Sequence, residues 1–429
     1  MGNKVTKPVV LDETAQAMVS ALNGIKNVLR DNLTGDIFGF IEHFDTLSAS
    51  VRVTYTDANK DYTPISVDKT SGTYNLNDWN GFAWLTKNKP WMVKKGGTPD
   101  YRLDESDYSK KLDGTASDVA NQSYEGGAFS WAETIYKYER TVGNERIVKF
   151  SFVERPGFEP VGFVDKNGNV LKGRWIPMFY ASVVNGVATS ISGTQPSANL
   201  NTANQKAAVD ALGSKANFLG GSFVETLIDL MILFAKTTDL QEAYGNGNMS
   251  GYVNDSSKNY GVLANAVVSG GQFYGTTDGK SLNKIFHSIV LGSYQQWMRD
   301  PYELVVNGRV KVSKNYIIDL TGASYFDTGI DEPDGTAGWK YPTKYISVEG
   351  YGAIPDVTSP QGSTTTGPCD GTYTPAAPSS FVAVSIRFGN CSDGSAGGPR
   401  ARAWADDAGS ANCTQGFAVL LDPPADVAA

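Results

Sequence analysis

Arg400-Ala401-Arg402-Ala403-Trp404-Ala405, near the end of the 429-residue chain, alternates large functional side chains with alanine. On an extended strand this puts Arg400, Arg402 and Trp404 on one face and the alanines on the other, because successive side chains point to opposite sides. Arg and Trp are residue types that dominate binding interfaces, one through bidentate hydrogen bonds and the other through a large rigid contact. Asn390, Cys391, Ser392, Asp393 and Asn412 flank the run with short polar groups able to hydrogen-bond a sugar or a protein loop. The pattern is that of a contact surface. Two plainer readings compete with it: a solvated hairpin without a ligand, or pairing of Arg400 and Arg402 with Asp406 and Asp407, worth ~0–1 kcal/mol when exposed.

Catalytic, metal and cofactor chemistry finds less support. The chain has two histidines, His43 and His287, far apart and not joined to a cysteine or carboxylate cluster. A zinc site is therefore not expected, nor is a Ser-His-Asp hydrolase, for which no Gly-x-Ser-x-Gly elbow exists. Both histidines read as packed or surface residues. Cys369, Cys391 and Cys413 stand at equal 22-residue steps. Their odd number points to reduced thiols rather than a disulfide framework. No cofactor is implied.

Charge and hydropathy narrow the partners. Lys and Arg number 37 against 45 Asp and Glu, a net charge of −8, with no basic block. Salt-dependent nucleic-acid binding needs a basic face, so nucleic acid is not an expected partner. The opening MGNKVTKPVV lacks the apolar run of a secretory signal, although it fits the short Met-Gly-x-x-x-Thr pattern for lipidation of Gly2. The longest apolar stretch, 223–235, is 13 residues long and is interrupted by Glu225 and Asp229. A bilayer needs ~20, so no membrane insertion is expected.

The elements that must position these residues follow from periodicity. Leu11, Ala15, Met18, Leu22, Ile25 and Leu29 recur with a seven-residue repeat, which predicts a helix over about 11–33. Such a seam suits a parallel partner helix, or equally docking on its own domain. From Ile37 the period moves towards two, and Ser50–Tyr55 and Tyr62–Val67 read as strands between Asp, Asn and Gly turns. Trp79, Trp84 and Trp91 form either a small-domain core or a carbohydrate platform. Phe129–Tyr138 and Ile147–Phe152 flank Gly143-Asn144, a hairpin signal. Two helices are expected next. One spans Thr202–Leu212 and stops at Gly213; the other opens with Ser222 and Glu225 at capping-box spacing and buries Phe223, Leu227, Leu230, Met231 and Phe234. Many single glycines and prolines, 46 and 19, fit a loop-rich chain dominated by strands from Ile285 onward.

The order of several motifs resembles a known family. Phe129-Ser130-Trp131 with Ile135-Tyr136, then Pro156-Gly157-Phe158, then Gly245-Asn246-Gly247, resemble tail-fibre and tropism-determinant proteins of bacteriophages. Lys284 to Trp297, followed by Asp300, Asn307-Gly308 and Val310–Val312, is similar to a stretch of C-type-lectin-like domains of the formylglycine-generating-enzyme type. Val384–Asn390 and Gln415–Leu420 resemble that family's last two strands. His287 stands where a Gly is usual, Asn390 follows a single Gly, and Ala418 replaces an Arg, so the likeness rests on order and spacing.

The resemblance implies an α+β fold with an N-terminal helix (1–35), a small β-rich domain (36–125) and a C-type-lectin-like domain (126–429). Its ligand-facing segment would be 385–417, which some members diversify by a retroelement. The implied function is a phage virion fibre or receptor-binding protein, assembled in a bacterial cytoplasm. It would display Asn390, Cys391, Asp393, Arg400, Arg402, Trp404 and Asn412 to a host cell-surface protein or glycan. Other virion proteins and a homotrimer are the implied partners. A structural virion subunit using the same fold for assembly is the alternative. An enzyme of the formylglycine-generating type is not expected, because Cys391 and Cys413 do not match that family's thiol spacing.

Overall fold

Gly143-Asn144 makes the turn its sequence predicts. With Gly143 at φ 60°, it joins strand Tyr136–Val142 to Glu145–Ser151, and Val142 faces Glu145 in register. Ile37–His43 and Val53–Asp57 extend this hairpin to a four-stranded antiparallel sheet. The computed structural model describes residues 36–255, 260–333, 335–358, 360–377 and 380–427. The expected helix over 11–33, and the lipidation pattern at Gly2, lie outside the described residues.

Two larger sheets complete the framework. The first has seven strands in the order 216–218, 419–421, 173–177, 126–133, 90–94, 99–104 and 107–111. The second runs 326–331, 309–312, 297–306, 383–387, 402–403, 372–374 and 338–340, with Gln415–Gly416 added in parallel beside Trp297. Strand makes up 33% of the structure and helix 13%, which overturns the expected α+β class: the protein is mainly β. Strands of two to ten residues, punctuated by Gly and Asn turns, are short for isolated helices and satisfy their backbone groups by pairing with one another. The boundary expected at 125/126 falls inside the seven-stranded sheet, where Gly126–Glu133 pairs with Pro90–Lys94. One hydrophobic core runs from Phe38 to Leu421.

Thr202–Leu212 is helical as expected, with Asn201 Oδ1 accepting from Asn204 N–H at its start and Gly213 at its end. The Gly221–Ala235 helix is buried along almost its whole length. Its capping box does not form; Glu225 turns instead towards two arginines. Trp79 and Trp84 are core residues, with Trp79 packed edge-on against Phe82 and Phe234. No helix among the described residues is long and apolar enough to cross a membrane.

Candidate functional site

The alternation along 400–405 exists, but its two faces are the reverse of the expected ones. In the large sheet Ile386 faces Ala403, and Arg387 faces Arg402. Residues directly opposite share a side of the sheet. Trp297, Ile386, Ala403 and Tyr373 therefore lie on one face, while Met298, Arg387, Arg402 and Thr372 lie on the other. The arginine face is the inner one. Arg400 is 3% exposed, Arg402 1% and Trp404 0%, so none of the three is available to a ligand. Cys391 is buried as well; its Sγ donates to Tyr260 O at 3.2 Å, and burial pushes its thiol up to about 11.

Carboxylates from three directions draw the arginines inward. Arg400 makes a bidentate pair with Glu42 at 3.0 and 2.9 Å and lies 3.8 Å over the Tyr345 ring. Arg402 and Arg387 both donate to Glu225 Oε1 on the central helix. Arg387 also binds Asp300 and Glu303, each at 2.9 Å, while Trp404 Nε1 donates to Glu303 at 2.8 Å. One turn along the same helix, Asp229 holds Arg146 at 2.7 Å and Lys137 at 2.9 Å. Glu139 pairs with both, and Arg52 pairs with Glu42 at 3.1 Å. Six cations (Arg52, Lys137, Arg146, Arg387, Arg400, Arg402) meet six carboxylates (Glu42, Glu139, Glu225, Asp229, Asp300, Glu303). The pairs form two networks, one of four cations and three carboxylates around Glu42 and Asp229 and one of two cations and three carboxylates around Arg387, so the charges balance when the two are taken together, the condition under which buried charge is tolerable. Burial alone would raise Glu303, but Arg387 and Arg402 hold it at about 2. Burial does win at Asp300, which is raised in spite of Arg387.

The outer face of the sheet carries the candidate site. Trp339 stacks on Trp297, with ring centroids 6.0 Å apart and planes 19° from parallel, and Tyr373 meets Trp339 edge-on at 5.7 Å. These rings, with Ile386, Ala403 and Ala405, form the apolar side of an open cleft of about 270 Å3. The alanines that alternate with the arginines thus leave room at the cleft floor. Asn390, Asp393, Asp406, Asn412, Thr414 and Gln415 form the polar side.

Each polar side chain is held by a local bond. Asn390 Oδ1 accepts from Ser392 N–H at 2.7 Å, and Asp393 Oδ2 accepts from Asn390 N–H at 2.7 Å. Asn412 Oδ1 accepts from Thr414 N–H at 3.0 Å. Arg299 donates to Gln415 Oε1 at 2.8 Å, and Gln415 Nε2 donates to Asp406 Oδ1 at 2.5 Å. Among the described residues, this leaves Nδ2 of Asn390 and Asn412, Oδ1 of Asp393 and Oδ2 of Asp406 without a hydrogen-bond partner. Burial raises the Asp393 carboxyl to about 6.

Of the seven residues expected at a ligand face, the cleft gathers Asn390, Asp393 and Asn412; Cys391, Arg400, Arg402 and Trp404 stay inside the protein. Trp339 and Tyr373 carry no signal near that segment in sequence, since they reach the cleft only through the pairing of 338–340 with 372–374. His287 is packed inside, its Nδ1 2.6 Å from the Tyr108 hydroxyl. Among the described residues no group of three or more His, Cys, Asp or Glu could hold a metal ion. The chain matches no family model and no curated protein.

Proposed function

We propose that this protein is an attachment protein of the virion-fibre kind, which contacts its target through the open cleft beneath Trp339. The observation that carries the reading is the outer face itself. Two stacked tryptophans and a tyrosine lie opposite four polar side chains whose remaining donors and acceptors turn to solvent, on a sheet stiffened from behind by the ion cluster. Aromatic anchors beside satisfied but not saturated polar groups are the composition of a binding surface. The resemblance of the motif order to phage fibre proteins supplies the setting: a virion, a bacterial host surface and presentation of several copies together as a trimer.

Cell binding by the full chain tests this. Ala405→Trp fills the cleft from its floor without touching the ion cluster, and attachment to a panel of bacterial cells is expected to fall to background. Phe326→Ala, at the opposite edge of the same sheet, should attach like the wild type. Undiminished attachment by a folded Ala405→Trp protein would refute the proposal.

A further inference from the structure

Resting on that reading of the cleft, we infer that its ligand is a neutral sugar, stacked by its C–H face on one of the rings Trp339 and Tyr373, whose planes stand 82° apart, and hydrogen-bonded through neighbouring hydroxyls to Asn390, Asp393, Asp406 and Asn412. Three features of the site select this class. An aromatic ring carries negative charge on its face, which favours the weakly positive C–H groups of a pyranose over a polar or anionic surface. Trp339 and Tyr373 are both half-buried, Trp339 held by its stack on Trp297 and Tyr373 by its edge-on contact with Trp339, so stacking costs little ordering.

The unpaired polar atoms then match hydroxyl groups. Two amide nitrogens donate and two carboxylate oxygens accept, while each hydroxyl of a sugar does both. An apolar peptide side chain would leave these four atoms desolvated and unsatisfied.

Charge excludes the acidic sugars. Asp393 and Asp406 line the cleft, and no Lys or Arg does. The cation bound to its wall, Arg299, is turned behind Gln415 and engages Thr202, Ser410 and Gln415 instead. A uronic acid, sialic acid, sulfate or phosphate group would meet like charge at short range with no counter-ion. At about 270 Å3 the cleft falls just below the roughly 300–1,000 Å3 of small-molecule sites, so it suits the end of a chain, one or two rings, rather than an extended polymer.

The test uses the full-length protein with short fragments of dextran, mannan and galactan, and with heparin and polysialic acid fragments as the acidic set. Binding is read by tryptophan fluorescence and calorimetry. At least one neutral fragment is expected to bind and to compete for cell attachment, while the acidic set does neither. Trp339→Ala should weaken neutral binding roughly tenfold, the upper value of one aromatic contact. Asn412→Ala, at an exposed position, provides a second reading if Trp339→Ala is unstable. Acidic fragments binding as tightly as neutral ones would overturn the assignment, as would neutral binding that both variants leave unchanged. If no neutral fragment binds or competes while Ala405→Trp still abolishes cell attachment, the sugar class fails and the attachment reading stands. Attachment unchanged by Ala405→Trp removes the attachment reading itself.

Discussion

Replacing Arg402 by methionine separates a structural role from a ligand-contact role, because the two predict opposite phenotypes. The guanidinium is shared between Glu225 Oε1, Ala353 O at 2.9 Å and Glu303 at 3.5 Å, at 1% exposure. Arg402→Met keeps much of the volume but leaves Glu225 facing Arg387 alone and Ala353 O without that donor. Breaking one partner of a buried pair costs about 3–5 kcal/mol, with the lost carbonyl hydrogen bond included at the upper end. Glu303 softens the loss, since it keeps Arg387, Trp404 and Tyr351. Against a typical total stability of about 5–15 kcal/mol, this is a large fraction.

Equilibrium unfolding in urea is the assay. The midpoint should fall by an amount worth about 3 kcal/mol or more, while cell attachment by the protein that remains folded persists. Combining Arg402→Met with Glu225→Leu should cost clearly less than the sum of the two single changes, because the second change removes the charge that the first left stranded. A loss below ~1 kcal/mol for Arg402→Met, the size of an ordinary surface substitution, would show that the side chain sits in water and would refute the inward assignment of the face.

Two further predictions concern pH. Burial raises Asp370 from 3.8 to about 8 despite hydrogen bonds from Arg400 N–H and Gln241. Between those values the folded protein holds a proton that the unfolded chain releases, so stability should fall as pH rises across that window, and Asp370→Asn should make the slope of unfolding midpoints less negative from about pH 6 to about pH 8, above the range in which Asp393 also releases its proton. Lys284 has the opposite sign: burial lowers it from 10.5 to about 7, only partly opposed by Glu105, so the unfolded chain binds the extra proton and stability should rise between pH 7 and 10.5. In Lys284→Met that alkaline rise should be absent from thermal melts; its persistence would show that another group is responsible.

Local structure was legible in the chain wherever one short-range rule decided it. Gly143-Asn144 specifies a hairpin because glycine takes the left-handed turn without strain, and Thr202–Leu212 ends where Gly213 removes the reason to continue. Period two in 400–405 correctly sorted Arg400, Arg402 and Trp404 from the alanines. One signal of the ion cluster was also present: Glu225 and Asp229 stand four residues apart as the charged residues of a buried helix, and carboxylates on a buried face require cations.

Which side of that strand faces inward was decided only by tertiary structure. A two-residue period says that the faces differ, not which one meets the core, and large charged residues by themselves favour water. Glu225 lies 177 residues from Arg402 in sequence and Glu42 lies 358 from Arg400, so the carboxylates that make burial of the arginines tolerable are supplied by the fold rather than by neighbours. The same pairing turns the small alanines outward and brings Trp339 over them. The cleft exists because the charges went in.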